Sequence, residues 1–363
     1  MTGSSAALVD LDDGEALLAA DRDGLLRAAA MAGAQVRATA AALDEGLLES
    51  LRSGQPPRTV IWVAGRGAAE TAGAVLAAAF GAVVAAPIVT VGAAPPWIGA
   101  LDVIVVAGDD PGDPALVSAA ATGVRRGARG VVVAPYEGPL RDATAGRAVA
   151  LAPRLWVPDD FGLSRYLAAG LAVLQVVDPG LRVDLGELAD QLDAEALRNS
   201  AGRDLFTNPA KALAERISGR DVVLAGDNAS TLALARHGAA VLLRVAQETV
   251  AAVGLGDVLV ALRNGFGAAG AGSAGASLFH DEELDGPLPR RVRTVVLTTD
   301  AERPTVAARV SGYDDVDVID AEDVPDGPEP GGAAASGRGM EQELATLAVR
   351  LEMTAVYLRL VRG

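Results

Sequence analysis

The chain has 363 residues, enough for two domains with separate cores, and half of them are apolar although only 3% are aromatic. Its 31 basic and 47 acidic side chains leave a net charge of -16, which repels phosphodiester backbones and anionic headgroups and argues against nucleic-acid and membrane partners. Cysteine is absent, only His237 and His280 could ligate through imidazole, and the single lysine, Lys211, lies between two alanines; disulfides, thiolate or histidine-rich metal sites, Gly-Lys-Ser/Thr phosphate loops and most pyridoxal enzymes are therefore not expected.

Met1–Asp13 is acidic and lacks the basic-then-apolar pattern of a leader, so a cytoplasmic location is expected. Leu17, Leu18, Leu25, Leu26 and Met31 recur at helical spacings. Val36, Leu43, Leu47 and Leu48 continue on a second helix, and Gln55-Pro56-Pro57 breaks the chain. Thr59–Ala64 then reads as a buried strand and Ala68–Phe80 as a helix. Val83–Val89 and Asp102–Ala107 read as strands, Pro114–Arg126 as a helix and Gly130–Ala134 as a strand. A helix over Phe161–Val177 closes this first lobe. No residue between Thr71 and Leu101 is charged, yet Gly81, Pro87 and Val83-Val84 divide the run into a buried helix and a strand rather than a membrane span.

Asp178–Arg203 is charged and mostly helical in pattern, a connector to a second lobe. Asp221–Ala225 reads as a strand, Gly226-Asp227-Asn228 as a turn and Ser230 to about Ala251 as one long helix. Val292–Leu297 and Val316–Ile319 are expected strands flanking a helix over Arg303–Val310. An amphipathic helix from Met340 carries Leu344, Leu347, Ala348, Leu351 and Leu358 on one stripe. Gly265–Ser277 and Asp323–Gly339 have loop compositions. The expectation is an α/β fold with two parallel sheets flanked by helices. Its divisions are helices over 1–54, a sheet domain over 55–177, a connector over 178–203 and a second sheet domain over 204–363 that ends in a helix.

Gly65-Arg66-Gly67 places a Gly-x-Gly where the first strand turns into a helix. Such a turn either satisfies tight geometry or lets the backbone approach an anion. Glu70 stands where a dinucleotide site needs a third glycine, and Ala85–Ala94 holds no acid, so neither NAD nor any other cofactor is expected. Ser230-Thr231 either caps the long helix or holds an anion.

Two tandem lobes, the Gly-rich turn, and Ser164-Arg165 followed by Leu167-Ala168 at the start of the closing helix resemble the bifunctional phosphoglucose/phosphomannose isomerases. That family is built from two sugar isomerase (SIS) domains. Leu11-Asp12-Asp13, Leu25-Leu26-Arg27 and Met353–Leu358 are similar to its actinobacterial members, and arginine in place of lysine suits a high-GC genome. The resemblance implies tandem SIS domains, a homodimer with its site where subunits meet, and a sugar phosphate or carbohydrate derivative as ligand. It also implies a catalytic set of an arginine, a glutamate moving a proton between C1 and C2, a histidine for ring opening and a C-terminal cation.

Arg165 matches the arginine by context. Glu248, in Val245-Ala246-Gln247-Glu248 near the end of the long helix, is the best match to the base, with a plain surface acid as the alternative. The histidine's place falls in Gly254-Leu255-Gly256-Asp257, where leucine stands instead. His237 and His280 lie outside that context, and Arg338 is the nearest cation. In the family a Ser/Thr-rich turn after the strand Asp102–Ala107 holds phosphate. Here that turn is Gly108-Asp109-Asp110-Pro111-Gly112-Asp113-Pro114, with no hydroxyl and three carboxylates that would oppose a dianion or hold a divalent cation. Gly65, Arg66, Gly67, Ser164, Ser230 and Thr231 are the candidate ligand contacts. The expected function is carbohydrate-derivative binding with little or no isomerase activity. An active hexose 6-phosphate isomerase and a structural or partner-binding subunit stand as alternatives.

Overall fold

Val60-Ile61-Trp62-Val63 and Val103–Ala107 are apolar at successive positions, so as strands they need cover on both faces. The structure, a computed structural model, provides that cover, and it describes residues 9–266, 292–322 and 339–362. By internal contacts these residues form two compact units. One comprises 24–197 with 339–352; the other comprises 9–23, 198–266, 292–322 and 353–362.

The short helices α1 (Gly14–Ala20) and α2 (Leu25–Ala29) precede α3 (Ala32–Asp44). The first sheet then alternates as β1 (Val60–Val63), α4 (Gly67–Phe80), β2 (Ile88–Val91), β3 (Val103–Ala107), α5 (Pro114–Arg126), β4 (Arg129–Val133), α6 (Gly138–Thr144) and β5 (Ala148–Ala150), closed by α7 (Leu163–Val177). All its strands are parallel, in the order β2-β1-β3-β4-β5. The ends of α5 follow from local chemistry. Asp113 Oδ1 accepts the Ala115 N–H as N-cap, Pro114 takes the first turn, and Gly127 leaves the helix at φ +74°.

Every residue of α7 except Arg165 and Gln175 is buried, so this helix is covered all round. Glycine sets how closely the helices approach β1. A Cβ on Gly73 of α4 would stand 2.3 Å from Trp62 Cδ1, and one on Gly170 of α7 would stand 2.1 Å from Leu76 Cδ1. The Trp62 indole N–H donates to Ala69 O at 2.8 Å, which satisfies its one polar group inside the core.

α8 (Leu185–Arg198) belongs to the first unit except for its last residue; in the other unit α9 (Pro209–Ile217) leads to β6 (Asp221–Gly226), α10 (Ala229–Ala246), β7 (Val250–Gly254) and α11 (Leu255–Arg263). β8 (Val292–Leu297), α12 (Arg303–Val310), β9 (Val316–Ile319) and α13 (Met340–Arg362) complete the described elements. Four parallel strands run in the order β7-β6-β8-β9. Lys211 is fully buried, and its Nζ donates to Ala201 O at 2.8 Å and Arg203 O at 2.7 Å. Burial pushes its ammonium pKa down.

The structure corrects several expected elements. The expected strand at Val83–Val89 forms only after Pro87, as Ile88–Val91; Val60 N donates to Pro87 O and the proline itself has no N–H to give. The long helix does not reach Ala251. It stops at Ala246 because Gln247 takes φ +56°, and Val250–Gly254 leaves to pair with β6. α13 carries its apolar stripe, but its polar side is buried too: Arg350 and Glu352 are each 1% exposed. Arg350 Nε reaches Glu195 Oε1 at 2.8 Å within the first unit. Gly267–Ser277 lies outside the described residues, and among them no helix is long and apolar enough to cross a membrane.

Candidate functional site

In an open parallel sheet, ligands bind where the strand order reverses, outside the carboxyl ends of the strands. In the first sheet that crevice lies between β1 and β3. It is framed by the Ala64–Gly67 turn and by Gly108–Asp113. Gly67 has φ +66°, and a Cβ on Gly65 or Gly67 would meet nothing within 4 Å, so the turn faces open space. No side chain caps α4, leaving its first N–H groups toward the crevice.

Three carboxylates crowd the facing turn, and each is engaged. Asp110 Oδ1 accepts the Gly112 N–H at 2.8 Å, and Asp113 caps α5. Asp109 Oδ1 accepts from Arg165 Nη2 at 3.0 Å and from the Tyr166 hydroxyl. Arg66 Nη2 stands 3.6 Å from Asp110 and 3.9 Å from Asp113. The acidic turn therefore does not stand alone, as the sequence suggested. Two guanidinium groups answer its three carboxylates, leaving one net negative charge. At about 5 Å a dianion is opposed by that charge by roughly 2 kcal/mol in water-like surroundings and roughly 7 kcal/mol at an effective dielectric near 20. The carboxylates do not converge on a cation: among the described residues no group of three or more His, Cys, Asp or Glu could hold a metal.

The fold thus brings Arg66 and Arg165 to opposite sides of one turn, a pairing across chain distances that sequence spacing does not reveal. The Arg165 guanidinium also stacks on the Tyr166 ring at 4.1 Å from its centroid, and its Nη1 has no hydrogen-bond partner. Burial, with the Asp109 carboxylate beside it, pushes the Tyr166 phenol well above its ordinary range, so it stays a donor to Asp109. Ser164 is 1% exposed and its Oγ also lacks a partner.

The corresponding crevice of the second sheet lies between β6 and β8. A Cβ on Gly226 would stand 2.1 Å from Leu232 N, so only glycine lets α10 start this close to the strand. Asn228 Oδ1 accepts from Ser230 N at 2.9 Å, Thr231 N at 3.0 Å and Ser230 Oγ at 2.7 Å. Thr231 Oγ donates to Asp227 Oδ1 at 2.9 Å. Asn228 and Thr231 thus form a capping box, and the hydroxyls and N–H groups of Ser230 and Thr231 are spent inside the protein.

Sequence reasoning missed Thr298-Thr299, a hydroxyl-bearing turn directly after β8. Thr298 Oγ donates to Asp227 Oδ2 at 3.3 Å. The adjacent pair following Val292–Leu297 was the available signal. Asn228 Nδ2 donates to Glu302 Oε2 at 2.6 Å, and burial, with Asp227 close by, raises the Glu302 carboxyl pKa.

Glu248 is not at the crevice of its unit. It follows α10 rather than riding on it, its carboxylate pairs with Arg362, and its side chain is 10% exposed. Ser230 and Thr231 lie in the first turn of α10, about 23 Å along the helix axis from its last residue, Ala246, whereas Glu248 follows its end. Arg165 belongs to the other unit. His237 is buried within α10 at 2% exposure, whereas His280 and Arg338 lie outside the described residues.

No protein-family model matches the chain, and no curated protein matches its sequence. Solved structures do match it in fold. Tagatose-6-phosphate ketose/aldose isomerase from Escherichia coli is similar with a TM-score of 0.59 at 13% identity, over 93% of this chain and 90% of that one. The C-terminal domain of glucosamine-fructose-6-phosphate aminotransferase from Francisella tularensis gives 0.58 at 11% identity, over 94% and 98%. A glucose-6-phosphate isomerase-like protein from Thermus thermophilus gives 0.51 at 18% identity, over 98% and 96%.

Proposed function

We propose that this chain binds a carbohydrate derivative at the crevice between β1 and β3 and does not isomerise hexose 6-phosphates, working as a homodimer in the cytoplasm. The fold it shares with sugar-phosphate proteins supports a carbohydrate-related ligand. One observation supports the absence of turnover: the turn after β3 holds Asp109, Asp110 and Asp113 and no hydroxyl, and these carboxylates engage Arg66 and Arg165 themselves. A second supports it. Isomerisation through an enediol needs a carboxylate free to move a proton at the substrate carbon. Glu248 is instead held by Arg362, remote from the crevice of its own unit.

The test is thermal unfolding with fructose 6-phosphate, mannose 6-phosphate and their unphosphorylated parents, in wild type and Arg66→Ala. A ligand at about 100 times its Kd adds about 2.7 kcal/mol, a clear rise in Tm. A dose-dependent rise that Arg66→Ala abolishes supports this reading. No rise with any carbohydrate at millimolar concentration would leave a structural or partner-binding subunit.

A further inference from the structure

Beside that crevice, α3, α7, the carboxyl ends of β4 and β5 and the loop at Pro153–Val157 enclose a cleft of two joined chambers, of about 320 and 340 Å3. The chambers share Gln35, Pro153, Arg154, Leu155 and Arg165. Ala38, Ala42, Leu47, Val133, Leu151 and Ala169 line the first. Asp109, Trp156, Asp159 and Gly162 line the second. We propose that this cleft binds a small monocarboxylic acid with an aliphatic or aromatic body, its hydrocarbon in the first chamber and its carboxylate on Arg165.

The first chamber offers a ligand hydrocarbon contact and little else. The two buried polar side chains on its α3 wall each already donate to a backbone carbonyl: Gln35 Nε2 to Phe161 O at 2.9 Å and Thr39 Oγ to Gln35 O at 3.3 Å. A polyhydroxylated ligand would leave most of its hydroxyls facing apolar walls there, whereas an alkyl or aryl group loses nothing. The mouth is apolar as well, with Leu47 39%, Leu155 36% and Trp156 86% exposed. Each chamber is near the lower end of small-molecule sites, which sets a modest ligand size.

The carboxylate is assigned by Arg165, where the chambers meet. Its Nη1 is buried without an acceptor in the protein, so it meets a ligand only when the guanidinium turns into the cleft, and its Nη2 is on Asp109. Asp109 keeps the Tyr166 hydroxyl when the guanidinium turns into the cleft, so the turn leaves no carboxylate bare. The first turn of α7 has no side-chain cap, and its cap residue Gly162 borders the same chamber, adding a favourable field for an anion. Because a ligand would share Arg165 with Asp109, at most a single negative charge is accommodated. Arg154 is committed to Glu45 through both terminal nitrogens, and Asp109 and Asp159 border the polar chamber, so a second negative charge has no cation to meet. The inference goes beyond the carbohydrate reading and does not depend on it, because Arg66 and the Gly65–Gly67 turn take no part.

Octanoate and 1-octanol are the probes, titrated by calorimetry and by tryptophan fluorescence into wild type, Arg165→Met, Ala38→Phe and Trp156→Phe. Octanoate is expected to bind wild type saturably with a Kd at or below about 1 mM, and about tenfold more weakly to Arg165→Met. Octanol is expected to bind wild type and Arg165→Met alike, and Ala38→Phe, which fills the apolar chamber, to bind neither. Trp156→Phe serves where a filling variant misfolds: it should lose most of the fluorescence change that octanoate causes in wild type. No saturable binding of octanoate overturns the inference. Equal octanoate affinity in wild type and Arg165→Met overturns the carboxylate assignment. Fructose 6-phosphate binding in the same titrations bears only on the carbohydrate reading.

Discussion

Replacing Gly73 by alanine sets two opposed effects against each other at one helix position. In a helix interior the change alone stabilises by about 1 kcal/mol, because alanine loses less backbone entropy. Here the new Cβ would stand 2.3 Å from Trp62 Cδ1, 2.7 Å from Nε1 and 2.9 Å from Cγ. All three distances fall inside the roughly 3.5–4.0 Å of ordinary contact. The atoms belong to a rigid ring, and that ring is 2% exposed and tied to Ala69 O at 2.8 Å. Either α4 shifts away from the sheet or the indole tilts and its buried N–H loses its acceptor. Overpacking costs about 1–3 kcal/mol and an orphaned buried donor about 1–3 kcal/mol. A net loss of about 2 kcal/mol is expected, which lowers the unit's Tm by about 4–8 °C. Thermal unfolding followed by circular dichroism and tryptophan fluorescence reads this directly. Gly256→Ala in α11, where the added Cβ meets nothing within 4 Å, isolates the propensity effect. If Gly73→Ala raised Tm as that control does, the account of glycine-set packing around Trp62 would be refuted.

An amine-reactive ester should label only the N-terminal amine of the native chain and reach Lys211 only on unfolding, as peptide mapping would show. Lys211→Met should cost about 2–4 kcal/mol in denaturant unfolding, since two buried carbonyls lose their donor. Arg350→Met should destabilise by about 3–5 kcal/mol by stranding Glu195, and Arg350→Met/Glu195→Leu should recover most of that loss. Burial raises the Glu341 carboxyl pKa, so this group favours folding below the ordinary carboxylate range and loses that contribution as pH rises through its raised pKa. Glu341→Gln should therefore be more stable than wild type at pH 7 and indistinguishable from it near pH 3, by urea titration at each pH.

Where the sequence was legible, local chemistry decided the outcome. Pro114 and Gly127 bracket α5, and the β-branched runs Val103–Val106 and Thr294–Val296 can do little but enter a covered sheet. β7 was hidden because Val241–Val250 reads as continuous helix. The break is a left-handed glutamine, Gln247, with no glycine or proline to announce it, and strand pairing with β6 outweighs helix propensity there. β5 is three residues long and was equally silent. The candidate site divides the same way. Asp109–Asp113 was readable as a carboxylate turn, because Asp, Pro and Gly make turns locally. Its engagement by Arg66 and Arg165 depends on the sheet bringing distant segments together, and no local spacing encodes that.

The proposal that the chain does not isomerise hexose 6-phosphates is tested most directly by incubating purified protein at high concentration with fructose 6-phosphate and following glucose and mannose 6-phosphate by NMR, with Glu248→Gln in parallel. The expected result is no conversion above the rate of that variant, because the carboxylates at the first crevice oppose the phosphate and Glu248 is locked to Arg362. Robust conversion that Glu248→Gln abolishes would contradict the account and establish the chain as an active aldose–ketose isomerase.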